Sequence, residues 1–300
     1  MKTHELSFSL ALNQTVITGS RNASSASTTR SNPSSAAARA RLIALRREPF
    51  LKARWEPMSF FHFRIAPEIL APVVPSRFEL EVHDGMACLS LAVVHMSGFR
   101  SGRLCSRGLL FQALREQKFL NLRTYIKSGG ERGVLFLHGW LSRPGLVPLP
   151  SGVFGLPYRF ANFSAHREDR ALIGHIRNRG DRGSFSYRIE VPANERPLVC
   201  SSGSTAEFSM EQYSGFFVRH NHGYVFRVWH PPWQQTPVKA RFDDLSLITN
   251  LFPWFAHAKF AGAHLTEPID DVWLSWAYRL PAIPEGQGNH RVLSAFYEMP

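Results

Sequence analysis

Two stretches of this chain alternate with a period that only a pleated strand can use. In residues 78–95, Phe78, Leu80 and Val82 alternate with Glu79, Glu81 and His83, and Leu89, Leu91 and Val93 resume the pattern after Asp84-Gly85. A period of two sends alternate side chains to opposite faces, and the Asp-Gly pair tolerates the positive φ of a tight turn. The second stretch runs FLNLRTYI (119–126), then a polar or glycine loop, Lys127–Gly133, then VLFLHGWL (134–141). Both read as β-hairpins. Further strands are expected at 58–65, 158–165, 171–178, 184–191, 216–220, 223–230 and 272–280, with turn signals such as Arg179-Gly180-Asp181 and Asn221-His222-Gly223 between them. Short helices are expected at 67–74, where Pro67 suits a first helical turn, and at 207–215. Residues 143–155 read as a short helix or ordered loop. With 23 Phe, 7 Trp and 7 Tyr, the composition favours strands over helices. Short strands joined by tight turns imply an α+β domain with a mostly antiparallel sheet, folded over or closed. No repeat of 20–50 residues points to a solenoid or propeller.

The alternation stops short of the N-terminus. Residues 1–47 hold seven Lys or Arg and one acid, Glu5, a net of +6 out of the whole chain's +12. Residues 20–38, SRNASSASTTRSNPSSAAA, bury too little apolar surface to offset chain entropy. The expectation is a disordered basic tail over 1–47, of transit-peptide-like or extraneous composition, with one or two turns of basic helix at 39–47. The domain then covers 48–281, and 282–300 form a C-terminal tail. The remaining positive charge is dispersed, with no Lys/Arg block long enough to follow a phosphate backbone, so nucleic acid is not an expected partner. No apolar run approaches the roughly 18–20 residues that span a bilayer. Cys88, Cys105 and Cys200 are odd in number and far apart, which argues for a reducing, cytoplasmic setting and against a zinc knuckle.

The common catalytic signatures, GxGxxG, GxxxxGK[ST], GxSxG and HExxH, are missing from the sequence. His220 and His222 would share one face of a strand and could join His62 or His230 at a metal, but the Asn221-His222-Gly223 turn breaks that alternation, and no metal or cofactor is expected. FLNLRTYI is more informative. Asn121, Arg123 and Tyr125 share one face, a donor set able to hold an anion: the guanidinium offers a planar fork while Asn and Tyr fix orientation. The competing reading is an ordinary solvated face. Gly155-Leu156-Pro157-Tyr158-Arg159-Phe160 enters a strand from a Gly/Pro turn, a place where side chains are presented into clefts. In Val228-Trp229-His230-Pro231-Pro232-Trp233 the two prolines end a strand, with His230 expected at the exit in a structural role.

Four segments, taken in order, resemble the uncharacterised YqjF-like proteins: WEPMSFFHFRIAPEILAPVVPSRFELEVHDGMACLSLAVVHM, NLRTYI, FGLPYRFANF and GFFVRHNHGYVFRVWHPPW. The resemblance spans roughly residues 50–281. That domain-of-unknown-function family is placed in the acetoacetate decarboxylase-like superfamily, which implies a double-layered β-cone or barrel with short helices and a ligand-sized hollow. Decarboxylases of the superfamily carry Gly-Phe/Tyr-Pro-Lys-Lys, whose first lysine forms a Schiff base and whose second lowers its pKa. Gly155-Leu156-Pro157-Tyr158-Arg159 looks like the counterpart. It puts Tyr158 at the Schiff-base position, and a phenol has no amine with which to form an imine.

The expected activity is therefore the binding of a small organic acid or other anionic metabolite without Schiff-base chemistry. The expected contacts are Asn121, Arg123, Tyr125, His62, Arg219 and His230, with Arg123 and Arg159 on one cavity and Tyr158 beside them. The alternative is a lyase or decarboxylase-like enzyme in which Tyr158 and Arg159 supply acid–base and electrostatic catalysis. A homo-oligomer is compatible with either.

Overall fold

The computed structural model describes residues 34–44, 51–101, 116–143, 158–178, 183–193 and 195–281. Helix α1 (Ser35–Ala44) precedes strands β1 (Leu51–Trp55) and β2 (Ser59–Ile65). Helix α2 (Pro67–Leu70) and a 3-10 turn, Ala71–Val73, lead to β3 (Glu79–Leu80), β4 (Val82–His83) and β5 (Met86–Ser101). Then come β6 (Glu116–Ser128), β7 (Glu131–Leu141), β8 (Tyr158–Phe160), β9 (Asn162–Glu168), β10 (Ala171–Arg177), β11 (Ser184–Glu190) and β12 (Leu198–Val199). Helix α3 (Thr205–Met210) is followed by β13 (Ser214–Arg219), β14 (His222–Trp229), β15 (Gln234–Asp244), α4 (Ser246–Thr249), β16 (Lys259–Thr266), β17 (Ile269–Leu274) and β18 (Tyr278–Arg279).

The pairing closes a ring. β5, β6 and β7 form an antiparallel meander, and β7 meets β13 in parallel. β13 pairs with β14, β14 with β17, β17 with β1, and β1 returns to the far end of β5. β5 is long enough to serve two neighbours on that edge: Ala87–Val93 pair with β2 and Met96–Ser101 with β1. From β2 the sheet runs on through β16, β15, β11, β10 and β9 and folds back as a second layer. Phe61, Phe63, Leu89, Leu91, Leu120, Leu122 and Trp140 fill the space between the layers against Ile176, Phe185, Tyr187 and Ile189. The alternating pattern implies a mostly antiparallel sheet, folded over or closed, and the resemblance implies its double-layered form; the sheet has both, with parallel pairings of β7 with β13 and with β8.

The opposite face of β2, β5 and β6 looks into a separate space. Phe60, Ala92, Val94 and Met96 pack there with Met210 and Trp233, and Cys88 and Tyr125 pack there with Phe208. α3 thus lies against this face, and its N-cap is Ser204, whose Oγ accepts the Glu207 N–H at 3.1 Å.

Several expectations change. The helix at 207–215 starts and ends earlier, over Thr205–Met210, because Ser204 caps it. Residues 35–38, assigned to the unpacked tail, belong to a helix whose Ser35, Ala38 and Leu42 are buried. β15 and β16 were not expected from the sequence at all. The turn between β13 and β14 is made by His220 and Asn221, both at positive φ (47° and 60°), as a two-residue hairpin loop requires. That geometry breaks the His220/His222 alternation. The Arg179–Asp181 turn, Cys105 and Gly155–Pro157 lie outside the described residues, as do 1–33 and 282–300. Among the described residues no helix is long and apolar enough to cross a membrane.

Candidate functional site

A row of polar side chains crosses the α3-facing side of the sheet, strand by strand. His264 on β16 starts it, with Nδ1 at 3.1 Å from His62 Nε2 on β2. His62 Nδ1 lies 2.8 Å from Ser90 Oγ on β5, and Ser90 Oγ lies 2.6 Å from the Tyr125 hydroxyl on β6. Tyr125 donates to the Ser209 carbonyl at 3.0 Å. A carbonyl can only accept, so every proton in the row has a fixed place. The phenol proton goes to Ser209 O, the Ser90 proton to the phenol oxygen, the His62 Nδ1 proton to Ser90, and the His264 Nδ1 proton to His62 Nε2. His62, Ser90 and Tyr125 are nearly inaccessible, whereas His264 is only half-buried and reaches solvent.

Arg123 stands in the middle of this row. Its Nη2 donates to the same Ser209 carbonyl at 3.0 Å, and its guanidinium lies over the Phe60 ring, 4.9 Å from the centroid. Among the described residues no carboxylate pairs with Arg123, and its Nε is buried without a hydrogen-bond partner. Its charge is felt nearby. Burial, then His264, then Arg123 hold His62 well below the usual histidine range. Burial lowers His230 to about 4, against the pull of the Pro231 and Gln212 carbonyls and with a further push from Arg123. His264 is lowered to about 4 by burial. The guanidinium is thus a fixed cation among neutral imidazoles.

Asn121 and Tyr158 continue the row on the other side. Asn121 pairs with Gly139 across β6 and β7, and Gly139 pairs in parallel with Tyr158. The missing side chain at Gly139 makes the room: a Cβ there would lie 2.4 Å from the Tyr158 ring. The Tyr158 hydroxyl donates to Asn121 Oδ1 at 2.6 Å, and its ring meets Phe119 edge-on at 5.6 Å. Burial raises the Tyr158 pKa, with the Asn121 hydrogen bond opposing. The phenol therefore stays protonated and serves as a donor, not as a base.

The structure separates two residues that the sequence expected together. Arg159 pairs with Trp140, the residue after Gly139, so its side chain leaves the sheet on the face opposite Tyr158 and Arg123. There it lies near His138, whose pKa burial and the Arg159 charge lower to about 3. Arg219 sits exposed at the tip of the β13–β14 hairpin, away from the row. His62, Asn121, Arg123, Tyr125 and Tyr158 do converge. His230, placed just beyond β14, stacks on Tyr213 at 4.7 Å and meets Trp233 at a tilt at 4.6 Å, and its Nδ1 donates to the Pro231 carbonyl at 2.7 Å.

His264, Ser90, Glu211 and Tyr213 escaped the sequence reading. Glu211 accepts the Trp233 N–H at 2.8 Å and the Tyr213 hydroxyl, and burial raises its pKa. Ser90 could have been found, since it alternates with Leu89 and Leu91. Nothing local marks Glu211, which follows the helix on an irregular stretch. Among the described residues no group of three His, Cys, Asp or Glu side chains is placed to hold a metal ion.

Residues 52–260 match the model of the family DUF2071, described as an uncharacterized conserved protein. The uncharacterized protein YqjF of Bacillus subtilis is 24% identical over 183 residues, 61% of this chain and 74% of that protein. An acetoacetate decarboxylase-like enzyme from Sphingomonas wittichii RW1 superposes with a TM-score of 0.53 at 13% identity, covering 79% of this chain and 95% of that one. The enduracididine biosynthesis enzyme MppR, in its complex with pyruvate, gives a TM-score of 0.55 at 12% identity, covering 78% and 91%. The chain therefore belongs to the DUF2071 family and has the acetoacetate decarboxylase-like fold.

Proposed function

We propose that this protein binds a small carboxylate or similarly anionic metabolite at Arg123, without forming a Schiff base. One observation carries the reading: Arg123 is a partly buried guanidinium with no acidic partner among the described residues and with a buried, unpartnered Nε. Holding such a charge costs solvation that an anion would offset. The neighbouring His62 and His230 are neutral, so they do not compete with Arg123 for the anion, and the Phe60 ring under the guanidinium supplies an apolar wall. Tyr158 and Asn121 add polar groups on the same face. The related fold that holds pyruvate in MppR adds support for an acid of that size.

The alternative, a lyase in which Tyr158 and Arg159 act on one substrate, loses its geometric basis because the two side chains leave opposite faces of β8. Calorimetric titration with pyruvate tests the reading. Arg123→Gln removes one charge-assisted contact, worth about 1.5–3 kcal/mol, so affinity falls roughly ten- to a hundredfold. Equal affinity in the two proteins refutes it.

A further inference from the structure

The helix α1 lies upstream of the family-matched region, yet it is tied to the candidate site. Ser34 caps it, with Oγ accepting the Ala37 N–H at 3.2 Å. Its buried positions, Ser35, Ala38 and Leu42, recur at helical spacing and face the barrel. Three contacts pin it. The Arg39 guanidinium lies 5.2 Å from the ring centroids of both Trp229 and Trp273, which pair across β14 and β17. Arg41 bridges to Glu131 at 3.2 Å. The Ser35 hydroxyl donates to the His230 carbonyl at 2.5 Å in a buried setting.

The last contact reaches the site. The His230 ring lies between Tyr213 and Trp233, and Trp233 meets Phe60 edge-on at 5.7 Å. Phe60 in turn carries the Arg123 guanidinium. A continuous set of packed groups thus joins Ser35 to the cation proposed to hold the ligand.

We propose that α1 is a releasable clip on the Arg123 site, with Ser35 as a positioning residue that holds the His230 segment in place. The proposal rests on the anion-binding reading above. A ten-residue helix is marginal by itself in water, so α1 exists as a helix only while docked. Its anchors are an ion pair with a half-exposed arginine and two contacts between Arg39 and tryptophan rings, each weak singly, beside one buried hydrogen bond from Ser35 and the two apolar side chains Ala38 and Leu42. An element held this way opens more readily than the sheet it rests on. Opening frees the His230 carbonyl and loosens the Trp233–Phe60 wall. If docking tightens the site, ligand binding must tighten docking by the same factor.

Hydrogen–deuterium exchange on the full-length protein, with and without saturating pyruvate, tests this. Without ligand, amides of 35–44 should exchange at least about a hundredfold faster than those of β5 and β6. Saturating pyruvate should slow 35–44 by about threefold to tenfold, and Ser35→Ala, which weakens docking, should weaken pyruvate affinity by up to that factor. Arg39→Ala combined with Leu42→Ser, which loosens the helix without touching Ser35, should raise both the association and the dissociation rate of pyruvate. Exchange of 35–44 as slow as the sheet, or unchanged by bound pyruvate, overturns the clip. If Arg123→Gln binds pyruvate as well as the wild type, the anion reading itself fails, and the clip on that site fails with it. Loss of binding in Arg123→Gln with no ligand effect on 35–44 overturns the clip alone.

Discussion

Tyr125→Phe isolates the centre of the hydrogen-bonded row. The substitution keeps the ring against Phe208, 5.0 Å away, and deletes one oxygen. That oxygen donates to Ser209 O at 3.0 Å and accepts from Ser90 at 2.6 Å, in a residue with no exposed surface. The Ser209 carbonyl keeps Arg123 as a donor, so it is not orphaned. Ser90 fares worse, because its hydroxyl loses its acceptor in a fully buried position while His62 still donates to it. Leaving a buried donor unmade costs about 1–3 kcal/mol. For a domain of this size each kcal/mol shifts the melting temperature by roughly 2–4 °C, so the fall should be about 2–12 °C. Ser90→Ala removes the group that Tyr125→Phe strands. The double variant should therefore be less destabilised than the sum of the two singles, by about 1 kcal/mol. Urea denaturation of the four proteins measures this cycle. Additivity of the two losses, within about 0.3 kcal/mol, would mean the row is a coincidence of positions rather than a connected set.

Two further outcomes follow from the same geometry. His62, His138, His230 and His264 have folded pKa values below the unfolded value near 6.5, so the unfolded chain binds more protons. Stability should hold above pH 6.5 and fall as pH drops from there toward about 4, where His230 and His264 titrate in the fold, at up to ~1.4 kcal/mol per pH unit for each histidine; a denaturation midpoint that is flat between pH 7 and 5 contradicts this. With pyruvate and borohydride the native chain should gain no covalent mass at Tyr158, whereas Tyr158→Lys, which puts an amine in a desolvated position, should be trapped as a reduced adduct visible by mass spectrometry; trapping of the native protein at any site on this face would defeat the argument that imine chemistry is absent.

The sequence carried the meander because its signals are local. Alternation through Leu89, Leu91 and Val93, the Asp84-Gly85 turn and the Asn121–Arg123–Tyr125 face all follow from a period of two, and the structure keeps them. β15 and β16 were missed because their outward residues are charged or small and Pro237 interrupts β15, so the apolar half of the pattern is thin. With β16 unseen, His264 had no strand to stand on. α1 was missed for a related reason: Ser35 and Ala38 supply little apolar signal, and the helix depends on Trp229 and Trp273, about two hundred residues away in the chain. Arg159 is a different case. Its strand was expected, and a period of two already sends Tyr158 and Arg159 to opposite faces; which face each takes depends on the parallel register of β8 on β7, which no single segment encodes.

Where the resemblance to the superfamily's pattern implies a lysine, this chain has Tyr158, and that bears on where positive charge resides. In a Schiff-base enzyme the amine must be brought near neutrality by another cation. Here Tyr158 is a protonated phenol turned toward Asn121, and the neighbouring cation, Arg159, faces away. What remains beside Tyr158 and Asn121 on this face is the Arg123 guanidinium, with imidazoles held neutral mainly by burial. An anion arriving at Arg123 offsets the Arg123 repulsion, the smallest of the effects that lower His62 and His230, and leaves burial, the largest, in place. Their proton affinities then rise by that smaller increment, so binding takes up a fraction of a proton, more as pH falls toward about 4, where His230 titrates. A lysine-based site, which needs its amine unprotonated to react, would favour the opposite trend. Pyruvate titrations in buffers of different ionisation enthalpy read the difference directly. A small proton uptake that grows as pH falls toward about 4 is the expected result, and proton release over that range would place the ligand away from Arg123.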